Sequence, residues 1–274
     1  MIHEPGSEGD ASVASRTRFD VPTSARVWNY LLGGHDNYII DRTVADAMAE
    51  VNPQVFHAAG ESRRFVARAV RYLAEQGVRQ FIDIGAGLPT DQNTHQIAQA
   101  IEPRSKIVYV DNDPVVLAYA RGWMVAAPDG VTACVDADLH EPENIIAGAR
   151  EVLDLTEPVG LLIVGTLSYI ASTDQAVSIL DQLMAAVPAG SYLALEHSSD
   201  TSEKARRCAA RYAQSGAKPY HPRSPEQLAQ LLTGLELVEP GLVPTPQWRP
   251  DEDNAEEALS VDRFAAVAHT RARG

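Results

Sequence analysis

Cysteine is scarce, with only Cys134 and Cys208 among 274 residues. Neither belongs to a metal-binding or redox spacing, one falling in a strand-like run and the other in a helical one. Both read as reduced structural thiols of a cytoplasmic protein. Basic residues are also in deficit: 23 Lys and Arg against 37 Asp and Glu give a net charge of -14. That balance argues against a broad phosphate-tracking surface, so no nucleic acid is expected as a partner. No apolar run reaches the ~18 residues that a membrane span needs, so no membrane partner is expected. The opening residues 1–18 are polar and carry no apolar core of the signal-peptide kind, which predicts a disordered tail. No His-x-x-x-His pair or cysteine cluster is present, so no metal is expected. Internal repeats are lacking too, and no linker divides residues 53–274.

What is there is an ordinary hydrophobic content of 45%, enough for the core of one α/β domain. Residues 19–52 hold two short amphipathic helices. Val27, Tyr30 and Leu31 recur at helical spacing before Gly33-Gly34, and Asp41 is suited to cap a second helix carrying Val44, Ala47 and Met48. A longer helix follows Pro53, with Phe65, Val66, Ala69, Val70 and Leu73 inward. Arg63, Arg64, Arg68 and Arg71 occupy much of its remainder and read as a solvated face. From residue 80 onward strands and helices alternate, the later strands being IVYV (107–110), VTACV (131–135), VGLLIV (159–164) and YLALEH (192–197). That rhythm predicts a doubly wound, mostly parallel sheet with helices on both faces. Two last strand-like runs, LELVEPGLV and RFAAVAH, are joined by an acidic loop with no helix between them. They are expected to form an antiparallel pair.

The chemistry gathers around FIDIGAGLPT, residues 81–90. Strand-forming residues run into Gly85-Ala86-Gly87, and Thr90 is expected to open the next helix. Such a turn exposes backbone N–H groups and lets a ligand approach where a Cβ would clash. Asp83 lies inside the first strand, Asp111 ends the second about 20 residues past the turn, and Asp138 follows the third. Strand carboxyl ends share one edge of a parallel sheet, so these acids and glycines are expected to border one nucleoside-binding crevice. A glycine turn with a distal acid also fits an NAD(P)-dependent oxidoreductase. Against that stand Asp83, where such sites usually carry an apolar residue, and Leu88-Pro89-Thr90 in place of a third glycine.

The D-x-G-x-G turn with Asp111 and Asp138 resembles the class I methyltransferases that bind S-adenosylmethionine. More narrowly, ARVWNYLLGGHDNY, RRFVARAVRYLAEQGVRQFIDIGAGLPT and YVDNDPVVLAYAR resemble a bacterial group of S-adenosyl methyltransferase proteins, from about residue 20 to the C-terminus. The resemblance implies a Rossmann-like seven-stranded sheet whose last strand is antiparallel. Residues 19–52 would then form a helical lid over the methyltransferase-like α/β domain of residues 53–274. It implies that Asp83, Gly85, Ala86 and Gly87 face the methionine portion of the cofactor. Asp111 with Asn112 would hold the ribose, Asp138 and the Leu139 amide the adenine, and Gly165 and Thr166 the floor near the sulfonium. Asn93 and Arg26 are offered toward the cofactor carboxylate, each also readable as an exposed helix residue, and Tyr38 as a ring packed on the cofactor or in the core. Gly33-Gly34-His35-Asp36-Asn37-Tyr38 reads either as a lid hinge or as a plain turn. Tyr169 and His197, after the fourth and fifth strands, are the candidates for a general base, if one is needed. The expected reaction is methyl transfer to a small-molecule acceptor, and a second copy of the chain, in a homodimer, is the one protein partner offered. A protein that binds S-adenosylmethionine for regulation without turnover is the non-enzymatic alternative.

Overall fold

The computed structural model describes residues 18–90, 92–123, 125–251 and 261–270. Three helices come first: α1 (Ser24–Leu31), α2 (Ile39–Val51) and α3 (Val55–Glu75). The alternating part follows as β1 (Gln80–Ile84), α4 (Thr94–Ile101), β2 (Lys106–Asp111), α5 (Pro114–Trp123) and β3 (Val131–Asp136). It continues with α6 (Pro142–Arg150), β4 (Val159–Val164), a 3-10 turn (Thr166–Tyr169), α7 (Thr173–Ala185) and β5 (Tyr192–Ser198). Then come α8 (Glu203–Ala213), α9 (Pro225–Gln230), β6 (Glu236–Leu237), β7 (Val243–Pro244) and β8 (Arg263–His269).

The sheet runs β3-β2-β1-β4-β5-β8-β6, with β7 also on β8. The first five strands are parallel, and β8 is antiparallel to every strand it touches. Strand order therefore reverses between β1 and β4, and the crevice outside their carboxyl ends is where such sheets bind ligands. Alternate residues of each strand serve opposite faces. Phe81, Ile107 and Leu162 pack with Phe65, Leu73 and Trp248 on the α3 side. Ile82, Val108 and Leu161 pack with Ile145, Leu180 and Leu183 on the other. A third cluster joins the N-terminal helices to α8 through Val27, Met48, Val55, Cys208 and Tyr212. This cluster holds α1 and α2 over the carboxyl edge of the sheet.

Several expectations need correction. LELVEPGLV is two short strands rather than one, both on the same edge of β8, giving eight strands where seven were expected. Pro240 cannot donate to a ladder, and Gly241 turns the chain with φ +88. The second helix starts at Ile39, with Asp41 inside its first turn. Residues 1–17 of the expected tail, and 252–259 of the acidic loop, lie outside the described residues.

The arginines of α3 do not form a solvated face. Arg64 and Arg71 are exposed, but Arg68 is 6% exposed and donates to the carbonyls of Trp248 (2.9 Å) and Thr245 (2.9 Å). It fixes the segment between β7 and β8, whose Trp248 stacks edge-on against Phe65 and Tyr72. Replacing Arg68 with Met keeps the buried stem but strips both carbonyls of their donor. We expect a loss of about 2–3 kcal/mol, read as a lower urea midpoint with an unchanged slope.

Candidate active site

β1 stops at Ile84 and the chain turns through Gly85-Ala86-Gly87, both glycines being left-handed with φ +76 and +67. The amides of Gly85 and Ala86 donate to the carbonyl of Val110 at 2.8 and 3.3 Å, tying the turn to β2. A Cβ on Gly85 would overlap Thr166 Oγ1 and stand 2.6 Å from its Cγ2, so the turn packs directly on the loop after β4. A Cβ on Gly87 would meet no protein atom within 4 Å. The outer side of the turn is therefore open for a ligand.

The carboxylates differ in state. Asp83 is buried within β1, where Thr94 Oγ1 donates to its Oδ2 at 2.6 Å. Burial raises its pKa, while Thr94 and the Arg63 cation pull the other way. Asp111 accepts from the amides of Gly87 (3.1 Å) and Asp113 (2.9 Å), one on each oxygen. Burial nevertheless pushes its pKa up to about 6. A carboxylate has about four acceptor positions, so room remains for a further donor. Asp138 accepts from Asn112 Nδ2 (2.7 Å) and from the amide and ring of His140 (2.9 and 2.6 Å). Burial acts to raise its pKa, but the His140, Lys218 and Asn112 contacts outweigh it and the net direction is down.

One cavity of about 440 Å³ is bordered by Asp83, Gly85, Ala86, Gly87, Asp111, Asn112, Asp138, Leu139, Gly165, Thr166 and Tyr169. Its volume falls within the roughly 300–1,000 Å³ of small-ligand sites. From the N-terminal side it is closed by Ser24, Arg26, Trp28 and Asn29 of α1. Arg26 is buried rather than exposed as a lone helix arginine would be, and its Nε donates to Asp41 at 2.8 Å. Asp41 also accepts the amides of Thr23 (3.1 Å) and Tyr38 (2.9 Å), so one carboxylate binds the start of α1 to the start of α2. Between these helices Asp36 reaches out to accept from Tyr119 of α5 at 2.6 Å, which pushes the phenol pKa up to about 12.

Three sequence-predicted residues do not belong to this cavity. Asn93 caps α4, its amide group exchanging hydrogen bonds with the backbone of Thr90 (3.0 and 2.8 Å). Thr90 therefore precedes the helix instead of opening it, and the Asn93 side chain is committed to the cap. Tyr38 lies outward, half exposed, with its ring edge-on to Phe19 and the Arg26 guanidinium over its face at 5.0 Å. His197 is buried away from the cavity, with Nδ1 against the Ser198 carbonyl (2.7 Å) and Nε2 facing Arg223 (2.5 Å). Burial, reinforced by Arg223 and Arg263, drives its pKa down to about 3. A neutral imidazole accepting from an arginine has no free site for a substrate proton. Tyr169 does border the cavity, but burial raises its pKa, so near neutral pH it is a hydrogen-bond donor and not a base.

The sequence reading missed Arg63, Trp28 and Lys218, all of which border the cavity. Arg63 donates to Thr90 Oγ1 (2.8 Å) and to the carbonyl of Gln92 (2.9 Å), holding the loop between β1 and α4. Nothing local separates it from the other arginines of α3.

The profile of a family described as S-adenosyl methyltransferase matches residues 10–271. This chain belongs to that family. A DUF574 family protein from Streptomyces avermitilis is 37% identical, over 92% of this chain and 98% of its own, with a TM-score of 0.88. A methyltransferase candidate from Thermobifida fusca is 36% identical, over 93% and 97% of the two chains, with a TM-score of 0.85. No curated protein matches the sequence. Membership makes the chain an S-adenosylmethionine-dependent methyltransferase with a mostly parallel α/β fold, and sets aside the nicotinamide and non-enzymatic readings. The donor set suits that cofactor. The cavity offers carboxylates at the ends of successive strands, and the open side of Gly87 is a cradle that a side chain would fill. Among the described residues no helix is long and apolar enough to cross a membrane.

Proposed function

We propose that this methyltransferase acts on a small-molecule acceptor, with the methyl donor held across the carboxyl ends of β1, β2 and β4. The observation that carries the reading is the meeting of Gly85, Gly87, Asp111 and Asp138 in one cavity, although 53 positions separate the first from the last. When bound, S-adenosylmethionine supplies an electrophilic methyl group on a sulfonium with a good leaving group.

The residue roles follow from charge and geometry. Asp111 accepts from the ribose hydroxyls in the room left by Gly87 and Asp113. Asp138, pinned by Asn112 and His140, accepts from the adenine amine while the Leu139 amide donates beside it. Gly85 and Gly87 admit the methionine portion against the backbone, and Asp83 balances positive charge from within β1. Gly165 and Thr166 form the floor under the reacting carbon. Residues 19–52 act as the lid, tied into one piece by Arg26–Asp41 and held to α5 by Tyr119–Asp36. Much of the rate enhancement comes from alignment and exclusion of water, which needs no dedicated base. Tyr169 contributes as a donor that orients.

Calorimetry with S-adenosylmethionine tests the assignment. Asp138→Ala is expected to weaken binding about tenfold, the worth of one charge-assisted hydrogen bond, with little change in melting temperature. Undiminished affinity in that variant removes Asp138 from the adenine site.

A further inference from the structure

With Asn93 given to the α4 cap and Arg26 to Asp41, neither is left to hold the carboxylate of the cofactor. A helix N-terminus is a common alternative. That of α4 is already filled: a capping box of Asn93 and Gln96 closes it, and Tyr109 Oη accepts the His95 amide at 2.8 Å. The loop ahead of α4 is instead met by side chains from two other helices. Leu88 packs on Ala25 of α1, and Thr90 accepts a hydrogen bond from Arg63 of α3. Gly87, just before them, is open on its outer side.

Asn29 follows Ala25 by four positions, on the same face of α1, and borders the cavity. It is 6% exposed and lies against Gly34, where a Cβ would come within 2.4 Å of Asn29 Nδ2. Its orientation is set by an arginine, which can donate but not accept. Arg42 Nε donates to Asn37 Oδ1 at 2.6 Å, so the other end of that amide, Nδ2, donates to Asn29 Oδ1 at 2.8 Å. Asn29 Nδ2 is thereby fixed as a donor on the cavity wall, and it has no partner among the described residues. Arg63 offers more. Its Nη2 serves Thr90 and Gln92, whereas Nε and Nη1 donate to nothing among the described residues. Of the other cations on this wall, Arg18 is held by Asp20, and Lys218 acts on Asp138 at the adenine end.

We propose that Arg63 and Asn29 together hold the carboxylate at the amino-acid end of the cofactor, and that Asn37 is the positioning residue that aims Asn29. The inference rests on the methyl-transfer reading above. A carboxylate beside Gly87 accepts from the guanidinium on one side and from the Asn29 amide on the other. The ammonium group of the same end then turns toward Asp83. Because Asn29 belongs to α1 and Arg63 to α3, the cofactor itself fastens the lid to the body of the enzyme. A nucleoside without that carboxylate fills the adenosine end and leaves the lid unfastened.

The test titrates the full chain by calorimetry with S-adenosylhomocysteine and with S-adenosyl-3-thiopropylamine, the same thioether without the carboxylate. The wild-type protein is expected to bind the first about 100-fold tighter, the worth of two hydrogen bonds to a charged group. Asn29→Asp keeps an oxygen that accepts from Asn37 and exchanges the cavity donor for a negative oxygen. It should weaken S-adenosylhomocysteine about tenfold or more without weakening the decarboxylated ligand. Asn37→Asp, which does not border the cavity, makes Asn29 turn its amide and should repeat that pattern at about fivefold. Arg63→Met should repeat it at about tenfold or more. If that variant loses the Thr90 loop and both ligands with it, the two asparagine variants decide. In hydrogen exchange, S-adenosylhomocysteine should slow the amides of α1 more than the decarboxylated ligand does, and equal slowing removes the fastening of the lid. The inference alone is overturned if the wild-type protein binds the two ligands equally. It also falls if both asparagine variants bind S-adenosylhomocysteine as the wild type does, or lose both ligands alike. Failure of the wild-type chain to bind S-adenosylhomocysteine overturns the methyl-transfer reading beneath it.

Discussion

Gly85→Ala is expected to abolish measurable cofactor binding and to lower the melting temperature by roughly 5–15 °C. The added methyl has two separate costs. The backbone sits at φ +76, where an L-residue with a Cβ pays about 1–2 kcal/mol. The new carbon would also stand 2.6 and 2.7 Å from Thr166 Cγ2 and Cβ, an overpacking cost of about 1–3 kcal/mol. No rotamer of Thr166 relieves the second, because its Cβ does not move with χ1. At about 2–4 °C per kcal/mol for a domain of this size, a sum of about 2–5 kcal/mol spans roughly 4–20 °C, with the stated shift in its middle. Scanning calorimetry reads the stability, and titration with S-adenosylmethionine reads the binding. Adding Thr166→Gly should recover part of the stability and none of the strain at φ +76. A Gly85→Ala protein with wild-type melting and affinity would refute the contact between the β1 turn and the β4 loop.

Asp111→Ala should weaken S-adenosylmethionine by over 100-fold, equivalent to about 3 kcal/mol for two hydrogen bonds to a charged acceptor. The pH dependence of the wild-type protein is the sharper signature. With the folded pKa of Asp111 pushed up to about 6, the stability this group lends is full below its unfolded value of roughly 3.9. It is lost as the pH rises through about 6. Affinity for the cofactor runs in the opposite direction, because ribose hydroxyls donate best to the ionised carboxylate. Binding should therefore be about tenfold weaker at pH 5 than at pH 8 and release a proton at the lower pH, as calorimetry in buffers of different ionisation enthalpy would register. The Asp111→Ala protein should show neither effect. A pH-dependent affinity that survives the substitution would move the titrating group elsewhere.

The parallel strands, the glycine turn and the acids at the strand ends were legible because each is announced by a few neighbouring residues. A five-residue apolar run reads as a strand whatever lies far away, and a Gly-x-Gly after it reads as a turn. What was not legible depends on partners distant along the chain. Arg26 is buried because Asp41 faces it, and Arg68 because the carbonyls of Thr245 and Trp248 come to it. Nothing in VFHAAGESRRFVARAVRY distinguishes Arg68, which is buried, from Arg71, which meets Asp251 at the surface. His197 stands next to the end of a central strand, as a catalytic histidine would, yet Arg223 from the segment before α9 occupies its Nε2. Asn93 was misread by three residues: a helix start placed at Thr90 made it an exposed residue in the first turn, whereas it is the cap itself. The split of β6 from β7 was the exception, since Pro240-Gly241 in the middle of LELVEPGLV is a local signal that argues against one continuous strand.

The Asp41 carboxylate has a consequence for how the N-terminal helices can move. It grips the start of α1 through the Arg26 side chain and the Thr23 amide, and the start of α2 through the Tyr38 amide. Any displacement of one helix from the carboxyl edge therefore drags the other along, and the exposed Tyr119–Asp36 contact parts before the buried ion pair does.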